Sequence, residues 1–169
     1  MINTTKKFII EWKEKYPDLR GNVLEVGSLD VNGNVKDLFG DFESYIGSDM
    51  RAGANVDVVV NGHELVSKFD KDSFDLVICL DTLEHDDKFW LTVEQMKEVL
   101  RPGGFLIICV PSIRHPRHNH PSDYYRFFES SFSEVFFDGY ENTNIRFECY
   151  ANNDELNPDE ILGWGRKPK

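Results

Sequence analysis

The chain is poor in cysteine and in positive charge, and it lacks any apolar run near the length of a membrane span. Its 169 residues include 3 cysteines, and 19 lysines and arginines stand against 30 aspartates and glutamates. Cys79, Cys109 and Cys149 are odd in number and far apart, and the first two lie inside apolar, strand-like runs. They read as buried thiols rather than a disulfide framework, so a cytoplasmic location is the default expectation. A membrane helix needs roughly 18 consecutive apolar residues, which are absent here. The opening MINTTKKFIIEWKEK carries charge throughout and has no small-residue cleavage site, so it does not resemble a signal peptide. The net charge of −11 argues against nucleic acid as a partner, because phosphate backbones attract basic surfaces.

What is present is ordinary for a soluble domain: 40% hydrophobic and 29% charged residues. The length suits one domain over residues 1–169. TTKKFIIEWKEKY sets Phe8, Trp12 and Tyr16 at helical spacing, with Thr4 or Thr5 as a candidate cap. NVLEVG, ESYIGSDM, VDVVV, FDLVICL and FLIICV read as strands. NVKDLFG and HELVSKF read as short helices between them. DKFWLTVEQMKEVL reads as a helix with Phe89, Val93, Met96 and Leu100 on one face and Asp87 as its cap, ended by RPGG. SDYYRFFESSFSEVFF looks helical, and NIRFECY and EILGWGRK look like strands joined by the polar turn ANNDELNPD.

Alternating strands and helices imply βαβ crossovers and an α/β fold: a Rossmann-like three-layer sandwich. Its sheet is expected to have seven strands, mostly parallel, ending in an antiparallel C-terminal pair. The fully apolar runs at 76–80 and 105–110 suit central strands covered on both faces.

The loop VLEVGSLDVNG follows the first strand, where open α/β sheets bind ligands. It departs from the phosphate-binding patterns. A dinucleotide fingerprint needs a glycine two residues after Gly27 so that backbone can approach the pyrophosphate, and Leu29 stands there. A P-loop ends in Gly-Lys-Ser/Thr, whereas Gly33 precedes Asn34 and Val35. Leu29 therefore opposes an NAD-dependent oxidoreductase. A ligand with an adenosine half and no phosphate suits the loop better; the plain alternative is a tight turn with an Asn-Gly corner. Asp49 ends the second strand about 20 residues on, where a carboxylate can accept from ribose hydroxyls, unless it merely caps the strand. Met50 could pack on an adenine ring or fill core space.

The order VLEVGS, YIGSDM, FDLVICLDTLEH, VLRPGGFLIICVP resembles class I S-adenosylmethionine-dependent methyltransferases of the small type-11 kind, over roughly residues 20–112. The later HPSDYYRFF is similar to a DYWRF signature of one bacterial and phage subgroup, and EVGSLDVNG and GWGRKP resemble that subgroup's loop and last strand. The resemblance implies S-adenosylmethionine as cofactor. It implies Glu25, Gly27, Ser28 and Asn32 at the methionine end, Asp49 at the ribose and Met50 at the adenine. It places Asn61 with Gly62 near the adenine amino group, with Asp57 as a competitor, and Leu80 and Asp81 beside the cofactor. Leu29 and Val31 stand where the common form of the loop has glycine.

A sulfonium methyl needs mainly an aligned nucleophile, and a base only where the acceptor is a hydroxyl or a protonated amine. Candidate groups are His85 in LEH and, after the fifth strand, His120, Asp123, Tyr124 and Arg126. His85 and Glu84 could equally be capping or hydrogen-bonding groups. Arg114, Arg117 and Arg126 suggest an anionic small-molecule or glycan-related acceptor; ion pairing of Arg126 with Asp123 or Glu129 is the plainer alternative. His115, His118 and His120 lack the i, i+4 spacing of helical zinc sites and have no cysteine nearby, so no metal is expected. A non-catalytic Rossmann-like binding module is the competing function, although such a module has no need of the His/Asp/Tyr/Arg cluster. The oligomeric state is not legible.

Overall fold

The structure, a computed structural model, describes residues 2–118, 122–148 and 159–169. Seven strands form one sheet: β1 (Asn22–Val26), β2 (Ser44–Asp49), β3 (Val58–Val59), β4 (Phe74–Leu80), β5 (Leu100–Pro111), β6 (Glu141–Glu148) and β7 (Glu160–Arg166). Their order is β3-β2-β1-β4-β5-β7-β6. β3, β2, β1, β4 and β5 pair in parallel, and β7 runs antiparallel between β5 and β6. This is the α/β arrangement expected from the strand and helix pattern.

The period of two in the strands divides their side chains between two cores. Leu24, Val26, Val77, Cys79, Leu106, Ile108 and Val110 face one side, against Val93, Met96 and Val99 of α2 (Phe89–Val99) and against Phe132 and Phe136. Val23, Leu76, Ile78, Phe105, Ile107 and Cys109 face the other, against Phe8, Ile9 and Trp12 of α1 (Ile2–Lys15). The helices thus cover both faces, and the central strands have no solvent side, which is why β4 and β5 read as unbroken apolar runs. Cys79 and Cys109 are buried free thiols; Cys149 and most of the ANNDELNPD turn lie outside the described residues. Among the described residues, no helix is long and apolar enough to cross a membrane.

Four local expectations are corrected. α1 begins at Ile2, so Thr4 and Thr5 lie inside it rather than capping it, and Thr5 is buried. The N-cap of α2 is Lys88, whose backbone N–H donates to Asp86 Oδ1 (2.9 Å); Asp86 thus serves the helix entry in place of Asp87. β3 spans only two residues of the VDVVV run. Residues 122–128 are not helical, and helix occurs only at Glu129–Ser131, followed by a π turn at Phe132–Phe136. The backbone explains this last departure. Tyr124 N–H donates to Glu84 O (2.8 Å) and Phe127 N–H to Pro111 O (3.0 Å), so the segment is tied to its neighbours rather than to itself.

Gly163 of β7 lies beneath this aromatic cover. A β-carbon there would stand 2.6 Å from Phe132 Cδ1 and 2.8 Å from Phe137 Cε2, both on buried rings. Gly163→Ala should therefore cost about 1–3 kcal/mol through overpacking, seen as a lower urea midpoint at an unchanged slope. An unaltered midpoint would contradict this packing.

Candidate active site

β1 is flanked by β2 on one side and β4 on the other, so the strand order reverses at its C-terminal end. A crevice opens at such a point because the connections leave in opposite directions. A cavity of about 550 Å³ lies here, walled by the loop after β1, the ends of β2 and β4, and the segments that follow β3 and β5.

The loop after β1 is held by side chains. Gly27 has φ +77°, and a β-carbon on it would sit 2.0 Å from Thr82 Oγ1, so glycine is required both for the turn and for the approach of β4. The N–H groups of Gly27 and Ser28 both donate to Ser48 O (2.8 and 3.0 Å). Asp30 accepts from Gly33 N–H (2.8 Å) and from Asn34 Nδ2 (2.6 Å), closing the turn that glycines close elsewhere. Asn55, at φ +65°, donates to Ser28 O (3.0 Å) and to Glu25 Oε2 (2.9 Å), while Ser28 Oγ donates to Asn55 O (2.9 Å). Leu29 lines the cavity and reaches Gly53, where a β-carbon would lie 2.3 Å from Leu29 Cδ1. Asp30 and Asn55 escaped the sequence reading; the signal available was an Asx residue inside each turn-rich stretch.

Glu25, Gly27, Ser28, Asn32, Asp49, Met50, Asn61, Gly62, Leu80 and Asp81 all line this cavity. Glu25 is buried and also accepts from Tyr45 Oη; burial raises its pKa above the ordinary carboxylate value despite these donors. Asp49 accepts from Arg51 N–H through Oδ1 (2.8 Å). Met50 is 66% exposed at the rim, so it fills no core space. Asn61 Oδ1 accepts from His63 N–H (2.9 Å), capping the 3₁₀ turn Gly62–Ser67. Asp57 is not a lining residue: its carboxylate accepts from Gly47 N–H (2.9 Å) and meets Lys36 Nζ (3.4 Å). Asp81 lies beside Cys109, whose Sγ donates to Asp81 Oδ1 (3.4 Å). Burial first, then the charges of Glu160 and Glu84, push its carboxyl well above the usual range. A further network, His63 Nε2 donating to Asp86 Oδ1 (2.7 Å) and Thr92 Oγ1 to Asp86 Oδ2 (2.5 Å), was not foreseen.

The far end of the cavity is made by His85, His118, Ser122 and Tyr124. His85 Nδ1 donates to Ser122 O. His118 packs edge-on to His85, with ring centroids 4.9 Å apart, and its pKa is raised chiefly by Glu84. His120 lies outside the described residues. Asp123 and Arg126 do not line the main cavity but a separate surface hollow. Arg126 Nη1 and Nη2 donate to the two carboxylate oxygens of Asp123 (2.5 and 2.7 Å), and His118 N–H adds a third bond (2.7 Å). Arg126 also donates to the carbonyls of His115, Pro116 and Tyr125. The pair braces the loop that carries His118.

Residues 24–108 match a family described as a methyltransferase domain. That span is half of the chain, and the chain belongs to this family. It is a methyltransferase, and its fold is that of S-adenosylmethionine-dependent methyltransferases. No curated protein matches it significantly in sequence. Among solved structures, an S-adenosylmethionine-dependent methyltransferase from Archaeoglobus fulgidus superposes with a TM-score of 0.70 at 13% identity, over 96% of this chain and 94% of that one. One from Clostridium acetobutylicum gives 0.68 at 14%, over 97% and 91%. Haemonchus contortus phosphoethanolamine N-methyltransferase 2, solved with phosphomonomethylethanolamine and S-adenosylhomocysteine, gives 0.68 at 14%, over 98% of this chain but 53% of that one. At these identities the likeness is one of fold.

The brace makes a pH prediction. Arg126's hydrogen bonds hold the Asp123 carboxyl well below the usual carboxylate range. A depressed folded-state pKa contributes stability above the unfolded value, near 4, and that contribution is lost as the pH falls through the folded value. Asp123→Asn should thus be less stable than the wild type at pH 7, with the gap closing below about pH 4. Urea unfolding at neutral and acid pH measures it; a gap independent of pH would contradict the assignment.

Proposed function

We propose that the cavity holds S-adenosylmethionine along the ends of β1, β2 and β4, and that its far end takes a small-molecule or glycan-related acceptor. The whole of residues 1–169 would act as one domain. The observation that carries this reading is the convergence on one cavity of all ten residues expected at a cofactor site. The cofactor supplies a methyl group on a cationic sulfonium. The lining suits that charge: beyond Glu25 and Asp81, whose burial favours the neutral form, it holds Asp49, Asp86 and Asp87 against one arginine, Arg51, so a cation is favoured over a pyrophosphate. In this reading Asp49 accepts from the ribose hydroxyls and Met50, exposed at the rim, closes over the adenine. Asn61 fixes the 3₁₀ turn that walls the adenine side, and its amide group faces that end of the ligand. The loop 27–34 meets the methionine part with backbone held in place by Asp30 and Asn55.

At the acceptor end, His85 and Tyr124 are proposed to touch the acceptor. His85, with Nδ1 donating to Ser122 O, turns Nε2 into an acceptor of protons or of a hydrogen bond. Asp123 and Arg126 would act as positioning residues through their brace on the 115–118 segment. Arg126 would then not be the group that meets an anionic acceptor, because its guanidinium is spent on Asp123 and three carbonyls. Membership of the subgroup with the DYWRF-like signature, a cytoplasmic location and the absence of a nucleic-acid partner belong to the same proposal; the first is supported by HPSDYYRFF and the last by the net charge of −11.

Calorimetric titration tests the reading. S-Adenosylhomocysteine should bind and NAD should not. Asp49→Ala removes charge-assisted hydrogen bonds worth about 1.5–3 kcal/mol each, so affinity should fall by at least about tenfold while the urea midpoint changes little. NAD binding without S-adenosylhomocysteine binding would overturn it.

A further inference from the structure

Glu84 is a fully buried carboxylate, and neither of its oxygens has a hydrogen-bond partner. Such a group is costly to bury unless a cation balances it. Two imidazoles face it: His85 Nε2 and His118 Nε2 each lie 3.6 Å from Glu84 Oε1. That separation is too long for a hydrogen bond. It is close to the spacing of two ligands around one tetrahedral ion, about 3.3 Å when each bond is about 2.0–2.1 Å. The nitrogens and the carboxylate oxygen all lie within 4.8 Å of one another.

We propose that Glu84, His85 and His118 form a divalent metal site of the zinc type, open toward the acceptor end of the cavity. Both rings are oriented as ligands. His85 Nδ1 donates to Ser122 O, which leaves Nε2 with its lone pair toward Glu84. His118 Nδ1 faces Pro116 O (3.4 Å) and Asp123 Oδ2 (3.8 Å), so its Nε2 is likewise directed at Glu84. A carbonyl or carboxylate behind the ring is the usual support of a metal-bound histidine. The site is tied together at the backbone: the 122–125 segment donates from Tyr124 and Tyr125 N–H to Glu84 O (2.8 and 3.3 Å). Two imidazoles and one carboxylate match zinc, and three protein ligands leave a position for water or for an acceptor oxygen. His85 and His118 line the cavity, so that position faces it. The histidine triad considered from the sequence is a different set; folding carries His118 to the 83–85 turn.

Two other clusters are less suited. His63, Asp86 and Asp87 also come together, but His63 Nε2 is spent on Asp86, and Asp86 on Lys88 and Thr92 as well. In the group of Asp81, Cys109 and Glu160, burial pushes the thiol pKa up, away from the thiolate a metal requires.

The proposal deepens the functional reading and replaces one part of it: with the Nε2 lone pair of His85 on the ion, His85 would act through the metal rather than as a free base, and the ion would hold an acceptor oxygen at the end assigned to the acceptor. Its test does not depend on methyl transfer. The full chain is stripped with a chelator and titrated with Zn²⁺ by calorimetry, and with Co²⁺ by visible absorption. One equivalent should bind, with the d–d bands of a low-coordinate site. Glu84→Gln and His118→Asn should each weaken binding by at least about tenfold, whereas His63→Asn should leave it unchanged. His118 is partly exposed, so its variant serves where the buried Glu84→Gln chain does not fold. Absence of binding, or binding unaltered in the folded Glu84→Gln or His118→Asn variant, or binding lost in His63→Asn, would overturn the site. S-Adenosylhomocysteine is titrated into the same samples: metal uptake without nucleoside binding would leave the site standing and remove the cofactor reading.

Discussion

The carboxylate of Glu25 sits near the end of β1, where three segments of chain meet. Tyr45 of β2 and Asn55 of the turn before β3 both donate to its Oε2. Asn55 also holds Ser28 O, so one buried acid ties the sheet, the loop after β1 and the turn before β3 together. Burial alone would favour its neutral form. The donors compensate a cost that an apolar residue would not incur, and what they secure is the position of the loop. The cavity owes its shape to this arrangement, because its loop wall cannot shift without breaking several bonds at once.

The strand order places that wall opposite the segments that follow β4 and β5, and the two ends of the cavity differ in kind. The β1–β2 end is rigid and acidic, with backbone fixed by Ser48, Asp30 and Asn55. The other end is built by imidazoles, a tyrosine and a loop braced through the Asp123–Arg126 pair. One cavity can therefore keep a cationic donor at one end and present a separate surface to a second substrate. Orientation of two reactants is most of what transfer from a sulfonium requires.

Much of this was legible in the chain itself, and the limits have physical causes. The apolar runs of β4 and β5 announce a doubly covered sheet, since only burial on both faces removes the alternation. Residues at strand ends, such as Asp49, are legible because topology alone puts them at the crevice. Contacts between segments far apart in sequence are not. Nothing local shows that Asn55 reaches Glu25, or that Glu84 meets His118. The aromatic run after residue 122 has a composition that suits a helix, but Glu84 O and Pro111 O claim its N–H groups. Paired acids mislead in the same way: in the Asp86–Asp87 step only geometry shows that Asp86 serves α2. Asp123 and Arg126 advertise chemistry by residue type, whereas their mutual contact makes them a brace.

The central claim is that this crevice, with side chains in place of glycines, is a nucleoside-sulfonium site. A crystal structure of the chain grown with S-adenosylhomocysteine tests it most directly. The account predicts the ribose hydroxyls on Asp49, the adenine beneath Met50 and beside Asn61, and the loop 27–34 still bonded to Asn55. Density for the ligand elsewhere on the surface, or a loop that must release Asn55 and Asp30 to admit it, would contradict the account.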